Sequence, residues 1–285
     1  MERRLSIEGT ELVLDDEGAG PALVCLHAIG HDAADFVRLR ARFRDRWRVL
    51  ALDWPGHGRS GPDREPASAR RYGTLLDGVL HTLGVVSAVL VGNSIGGAVA
   101  LAYAARRPDR VRALVLENPG GLAAVDDRLA RVALAAMAGF FGQGRRGAWW
   151  FRRAFAAYYR IVLQRPAARE ARARIVARAR TSAPVLEQAW RSFARPEADL
   201  RAVVPSVACP VLCAWAVRDG FVSLARSLPA IGRFPDARVV RFDAGHAPHL
   251  ETPEEFEAAL EAFLAGLPEE AAAGRGALSS TARSG

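Results

Sequence analysis

A hydroxyl, an imidazole and a carboxylate that could share one reaction stand far apart in this chain but in matching surroundings. Ser94 lies in Gly92-Asn93-Ser94-Ile95-Gly96-Gly97, after the β-rich run VVSAVLV and before the helix-like AVALAYAARR. A strand that turns sharply into a helix at a serine lifts the hydroxyl above the sheet. The positions two before and two after must then be small, so that strand and helix can approach; here they are Gly92 and Gly96. A serine hydroxyl is a poor nucleophile at neutral pH and needs a positioned base. Of the six histidines, His246 stands in FDAGHAPHLETPEEF, between the last strand-like run and the last helix. That places it at the C-terminal sheet edge, where Ser94 must also lie. His249 is the competing imidazole and is read as a partner in loop packing. The base needs an acid to hold its tautomer. Asp219, after CPVLCAWA, is the first choice, with a helix-capping role as its other reading. Glu117 and Asp126, after an earlier strand, are the alternatives. The chemistry this set performs is acyl transfer to water.

These residues need a particular frame. Arg3–Ile7 and Glu11–Leu14 read as a hairpin. Ala22–Leu26, Arg48–Leu52, Val85–Val91 and Val111–Leu116 are compact apolar runs of the kind found in buried parallel strands. Helical segments alternate with them at Ala33 to Arg44, Ala67–Leu83 and Ile95–Arg106, which implies an α/β fold with helices on both faces of a parallel sheet. From about residue 121 to 200 strand signals vanish and helical composition takes over. The alternation then resumes with Val211–Trp215, Ser223–Ile231 and Arg238–Phe242. Thr252-Pro253-Glu254-Glu255 predicts an N-cap and capping box for a final helix. The expected organisation is a core over 1–120 and 201–267, a helical cap over 121–200, and a disordered tail over 268–285.

Composition narrows the function classes. The 39 basic residues, all arginine, give a net charge of +8. They are spread along helical segments between alanines, without a compact basic run interleaved with aromatics, so no nucleic-acid partner is inferred. No apolar run approaches the ~20 residues of a membrane span, and no apolar segment follows the first arginines, so the expectation is a cytoplasmic protein without a membrane partner. Cys25, Cys209 and Cys213 make no zinc pattern.

Further stretches carry a family resemblance. Asp53-Trp54-Pro55-Gly56-His57-Gly58-Arg59-Ser60 matches a D-x-P-G-x-G-x-S segment, Leu26-His27-Ala28-Ile29-Gly30 a His-Gly loop, and Ala244-Gly245-His246-Ala247-Pro248-His249-Leu250-Glu251 a histidine loop. With the order Ser94, Asp219, His246, the chain resembles α/β-hydrolases that carry a helical cap, over about residues 3 to 267. The resemblance implies a mostly parallel eight-stranded sheet and an oxyanion hole from the backbone N–H groups of Ile29 and Ile95, with Ala28 beside them. Ala28 stands where glycine is usual, which would be costly if that position needs a positive φ. His27 and His57 are read as structural. Gly92–Gly97 and Asn118–Leu122 are also similar to carbon–carbon hydrolases of ring-fission products, but Leu250 replaces their usual tryptophan.

The resulting expectation is a serine hydrolase that cleaves a carboxylic ester of a small, largely apolar substrate and needs no metal, nucleotide or flavin. Carbon–carbon hydrolysis, lactone opening and a non-catalytic receptor are the alternatives, and a homodimer is left open. The dense aromatic cluster of the cap, Phe140, Phe141, Trp149, Trp150, Phe151, Phe155, Tyr158 and Tyr159, reads first as cap core and cap–core interface; as pocket lining, its candidates are Trp149, Trp150, Phe155 and Tyr158, with Phe221 from the loop after Asp219.

Overall fold

Alternate residues of the central strands sort into two separate apolar clusters. In β3 (Ala22–Leu26), Ala22, Val24 and Leu26 join one, while Leu23 and Cys25 join the other; in β5 (Ala88–Asn93), Ala88 and Leu90 part in the same way from Val89 and Val91. A period of two with both faces apolar requires cover on both sides of the sheet. One face is covered by α2 (Ala69–Thr82) and α3 (Ile95–Arg106). The other is covered by α1 (Val37–Phe43) and α10 (Pro253–Ala265). The computed structural model describes residues 1–123 and 128–268; Asp126 and the segment from residue 269 onward fall outside them.

The remaining strands are β1 (Glu2–Ile7), β2 (Thr10–Glu17), β4 (Arg48–Leu52), β6 (Val111–Glu117), β7 (Val211–Ala216) and β8 (Ala237–Phe242). They form an eight-stranded sheet in the order β1-β2-β4-β3-β5-β6-β7-β8. The first two strands make an antiparallel hairpin, β2 runs antiparallel to β4, and every pairing from β4 to β8 is parallel. The C-terminal ends of β3, β5, β6, β7 and β8 therefore share one edge, and their loops converge there.

Between β6 and β7 the described residues form α4 (Arg128–Arg145), α5 (Phe151–Val162), α6 (Arg169–Ala177) and α7 (Ala179–Phe193). Helices α4 and α7 pack along each other, and Phe141, Phe151 and Phe155 are fully buried within this insertion. Arg174 and Arg178 tie it to the loop after β3 through Asp32 and Asp35. Two short elements complete the C-terminal half, α8 (Leu224–Ile231) and α9 (Pro248–Glu251). No helix among the described residues is long and apolar enough to cross a membrane.

Two local expectations are corrected. The segment Ala33 to Arg44 starts as a 3₁₀ turn, Ala33–Phe36, capped by the Asp32 carboxylate, and becomes α-helical only at Val37. Thr252 does not cap α10 with its side chain; α9 runs directly into it, and the Thr252 hydroxyl donates to the Pro248 carbonyl instead (3.3 Å).

Candidate active site

Ser94 sits between the end of β5 and the first turn of α3 with φ 55° and ψ −115°, a conformation that an L-residue holds only when its surroundings impose it. The imposing contacts are on either side. A Cβ on Gly92 would come within 2.5 Å of the Gly96 carbonyl carbon, and one on Gly96 would overlap the Leu26 carbonyl oxygen. The Ser94 N–H donates to the Glu117 carbonyl at the end of β6 (2.9 Å), which fixes the turn across the strand gap.

His246 follows β8, and Asp219 follows β7. With its proton on Nδ1, the imidazole donates to Asp219 Oδ2 at 2.6 Å. Burial disfavours the imidazolium, but the Asp219 charge and its hydrogen bond outweigh that, and the His246 pKa is held above its usual value. This tautomer leaves Nε2 free as an acceptor. Ser94 and His246 line one cavity of about 620 Å³. Among the described residues the Ser94 hydroxyl makes no hydrogen bond; contacts of this kind commonly tighten only with substrate.

Ala28, Ile29, Ile95, Tyr158 and Phe221 line the same cavity. The Ile95 N–H is the first of α3 and has no acceptor within the helix. The Ile29 N–H, in the loop after β3, has no acceptor among the described residues. Positive φ in that loop falls on Gly30 (79°) and not on Ala28, so alanine at position 28 carries no backbone strain. Three expected pocket residues lie elsewhere. Trp149 precedes α5 and is 79% exposed; Trp150 packs against Phe140. Phe155 is enclosed by Phe141, Phe151 and Tyr159 on the inner stripe of α5. Further along the same helix Tyr158, Tyr159 and Val162 do line the cavity.

Other histidines have different tasks. His27 donates from Nδ1 to the Ala28 carbonyl (2.6 Å), and its Nε2 accepts the Trp54 N–H (3.0 Å). Burial pushes it down to about 4, and pushes His57 beside it to about 3. His249 is buried against Phe36 with Nδ1 on Glu117 Oε2 (2.8 Å), so the alternative acid Glu117 serves a different imidazole.

Three polar residues that the sequence reading missed hold the site. Asn118, at φ 41°, donates to Asp219 Oδ2 (2.7 Å) and accepts the Ala216 N–H (2.8 Å), locking the acid to the end of β7. Asn93 donates to the carbonyls of Glu117 (3.1 Å) and His246 (2.9 Å), joining the end of β5 to the histidine loop. The Glu251 carboxylate accepts the N–H groups of Gly245, His246 and Ala247 on Oε1 and those of Gln164 and Arg165 on Oε2. The signals were faint: asparagine tolerates positive φ, and a loop with consecutive buried amides needs an acceptor from somewhere. Among the described residues no group of three His, Cys, Asp or Glu side chains could hold a metal ion.

A family model described as alpha/beta hydrolase fold matches residues 21–253. An uncharacterized protein of Mycobacterium tuberculosis is 33% identical over 105 residues, 37% of this chain, and the chain spans only 31% of that protein's length. A pimeloyl-[acyl-carrier protein] methyl ester esterase of Xanthomonas campestris is 30% identical over 274 residues, covering 90% of this chain and 99% of the relative. In structure, a thermophilic esterase from Thermogutta terrifontis superposes with a TM-score of 0.79 at 23% identity, covering 93% of this chain and 98% of that one. At that identity the likeness speaks for the fold.

Proposed function

Because the chain belongs to the α/β-hydrolase fold family, we propose that it is a serine hydrolase cleaving carboxylic esters of largely apolar acyl groups through an acyl-enzyme. The observation that carries this is the strained Ser94 turn opening into the same cavity as an imidazole that is already hydrogen-bonded to a buried carboxylate. The full-length likeness to a methyl ester esterase supports ester as the bond class.

In this reading His246 Nε2 takes the Ser94 proton as Oγ attacks the ester carbonyl carbon. Asp219 stabilises the imidazolium that forms. The N–H groups of Ile29 and Ile95 hold the oxyanion; both residues are buried at the cavity wall, so a substrate that fills the cavity leaves little water to compete for the donors. Collapse expels the alcohol, which takes the proton from Nε2. Water then attacks the acyl-enzyme with His246 again as base, and the acid leaves. The helices between β6 and β7 act as a cap, and Tyr158 and Phe221 shape the acyl site. Leu250 does not line the cavity, so the site lacks the aromatic that the carbon–carbon reading expects from that position.

The test is covalent. A fluorophosphonate should label Ser94, a p-nitrophenyl ester series should show turnover, and Ser94→Ala should lower kcat on the order of 10⁶-fold. Turnover that survives in Ser94→Ala would end the serine mechanism. Labelling without turnover of any ester would favour the receptor alternative.

A further inference from the structure

Charge is unevenly divided along this chain. Residues 128–200 hold fifteen arginines against four carboxylates, so this segment carries +11 and the rest −3 of the net +8. Nine of those arginines fall between residues 128 and 169, where there is no Asp or Glu at all. Two of the nine are neutralised across the fold, Arg145 by Glu187 and Arg165 by Asp243.

Three of the other seven, Arg152, Arg153 and Arg160, lie on helix α5. Its inner stripe is Phe151, Phe155, Tyr159 and Val162. At 100° per residue the opposite side carries Arg153 and Arg160, while Arg152 flanks the inner stripe beside Tyr159; all three are exposed and without an ion pair among the described residues. Arg146, just before the helix, is exposed as well. At the two ends of this cationic face stand apolar side chains that water surrounds: Trp149, 79% exposed, and Ile161, 59% exposed. Neither lines the cavity, and the proposed chemistry gives neither a task.

We propose that the outward face of α5 docks on an anionic lipid surface. Charge complementarity selects an anionic partner, and the −3 remainder of the molecule is repelled by it, so the field alone turns the helical insertion toward the surface. The exposed apolar ends select lipid among anions. A tryptophan flanked by arginines suits the headgroup layer, where the indole sits among polar groups and the guanidinium groups meet phosphates. A side chain this prominent needs a matching pocket on a protein partner, whereas a fluid headgroup layer deforms around it. Ile161 has nothing to offer a nucleic acid. Association would be peripheral and reversible.

The experiment is sedimentation of the full chain with phosphatidylcholine vesicles, with and without phosphatidylglycerol, at low and high salt. The expected result is binding to the anionic vesicles only, lost at high salt. Each arginine near such a surface contributes about fivefold to partitioning, so Arg152→Gln/Arg153→Gln/Arg160→Gln should bind on the order of 100-fold more weakly. Trp149→Ala should also bind the anionic vesicles more weakly. Fluorophosphonate labelling and hydrolysis of a soluble ester, unchanged in both variants, would show that they fold. Equal binding to neutral vesicles, or undiminished binding by the triple variant, overturns the proposal. So does capture by a single-stranded oligonucleotide as tight as by the vesicles together with no effect of Trp149→Ala, which would make the face a general polyanion site.

Discussion

Replacing Asp219 by asparagine tests the catalytic geometry more sharply than truncating it would. The carboxylate has no spare acceptor: Oδ2 takes the His246 ring N–H (2.6 Å) and Asn118 Nδ2 (2.7 Å), and Oδ1 takes the backbone N–H groups of Phe221 (2.7 Å) and Val222 (3.1 Å). An amide at this position must turn its NH₂ toward one pair of donors. The two backbone donors cannot rotate away, so the amide oxygen stays with them and the NH₂ faces His246 and Asn118. His246 Nδ1 can then only accept, which moves the ring proton to Nε2 and removes the base. Loss of the tautomer predicts a fall in kcat of about 10⁴-fold, or about 5.5 kcal/mol of transition-state stabilisation. The pH profile supplies an independent sign. In the proposed mechanism activity requires neutral His246 and should be lost as pH falls through its pKa, which Asp219 holds up. Without that charge the pKa drops, so the acid limb of the residual kcat/KM should move to lower pH. The assay is p-nitrophenyl ester hydrolysis from pH 5 to 9, with fluorophosphonate labelling as a check on folding. Activity within tenfold of wild type, with the acid limb in place, would falsify the assignment of Asp219.

Three further outcomes follow from the same contacts. Asn118→Leu removes three hydrogen bonds and puts a branched side chain at φ 41°; kcat should fall on the order of 10- to 100-fold with KM little changed, and urea denaturation should show a loss of about 2 kcal/mol or more. Acid should weaken the fold through His27 and His57, which stay neutral when folded while their unfolded counterparts protonate near 6.5; stability falls from about pH 6.5 down to about 4, by about 4 kcal/mol for the two together at pH 5, and a flat urea midpoint across that range would refute it. Phe155→Ala should cost about 3–5 kcal/mol and Trp149→Ala less than about 0.5 kcal/mol in thermal denaturation, because the first empties a closed aromatic cluster and the second removes a solvated ring.

The parts of this molecule legible in its sequence are those that local chemistry decides. The apolar runs of β3 to β7 read as buried parallel strands because both faces are covered, and glycines at positions 92 and 96 announce a turn that no Cβ fits. The aromatic cluster is mostly buried core, and three of its pocket candidates lie away from the cavity for a reason that is itself local. Its residues were grouped by composition, whereas helix phase divides them. Phe151 and Phe155 turn into the closed aromatic cluster, Tyr158, Tyr159 and Val162 line the cavity, and Trp149 lies outside the helix altogether. Thr252 failed as a cap because a second short helix abuts α10, which no capping motif reveals. Asn118 and Glu251 were illegible for the opposite reason. Their partners lie up to about a hundred residues away, and only the folded chain shows which amides they satisfy.

The polar contacts around the site also explain why two carboxylates at neighbouring strand ends are not interchangeable. Glu117 closes β6 as Asp219 follows β7, and both carboxylates carry an imidazole on one oxygen. Glu117 Oε2 is taken twice by His249, through the ring and through the main-chain N–H (3.2 Å), and Oε1 is buried without a partner among the described residues. Moving this carboxylate to His246 would strip the His249 ring of its only hydrogen bond among the described residues. It would also disturb the β6 end whose carbonyl receives both Ser94 N–H and Asn93 Nδ2. Asp219, by contrast, is braced by two backbone amides and an asparagine, leaving one lobe of Oδ2 for the imidazole. One carboxylate thus holds the loop, and the other is left to orient the base in the proposed mechanism, which needs both for a preorganised site.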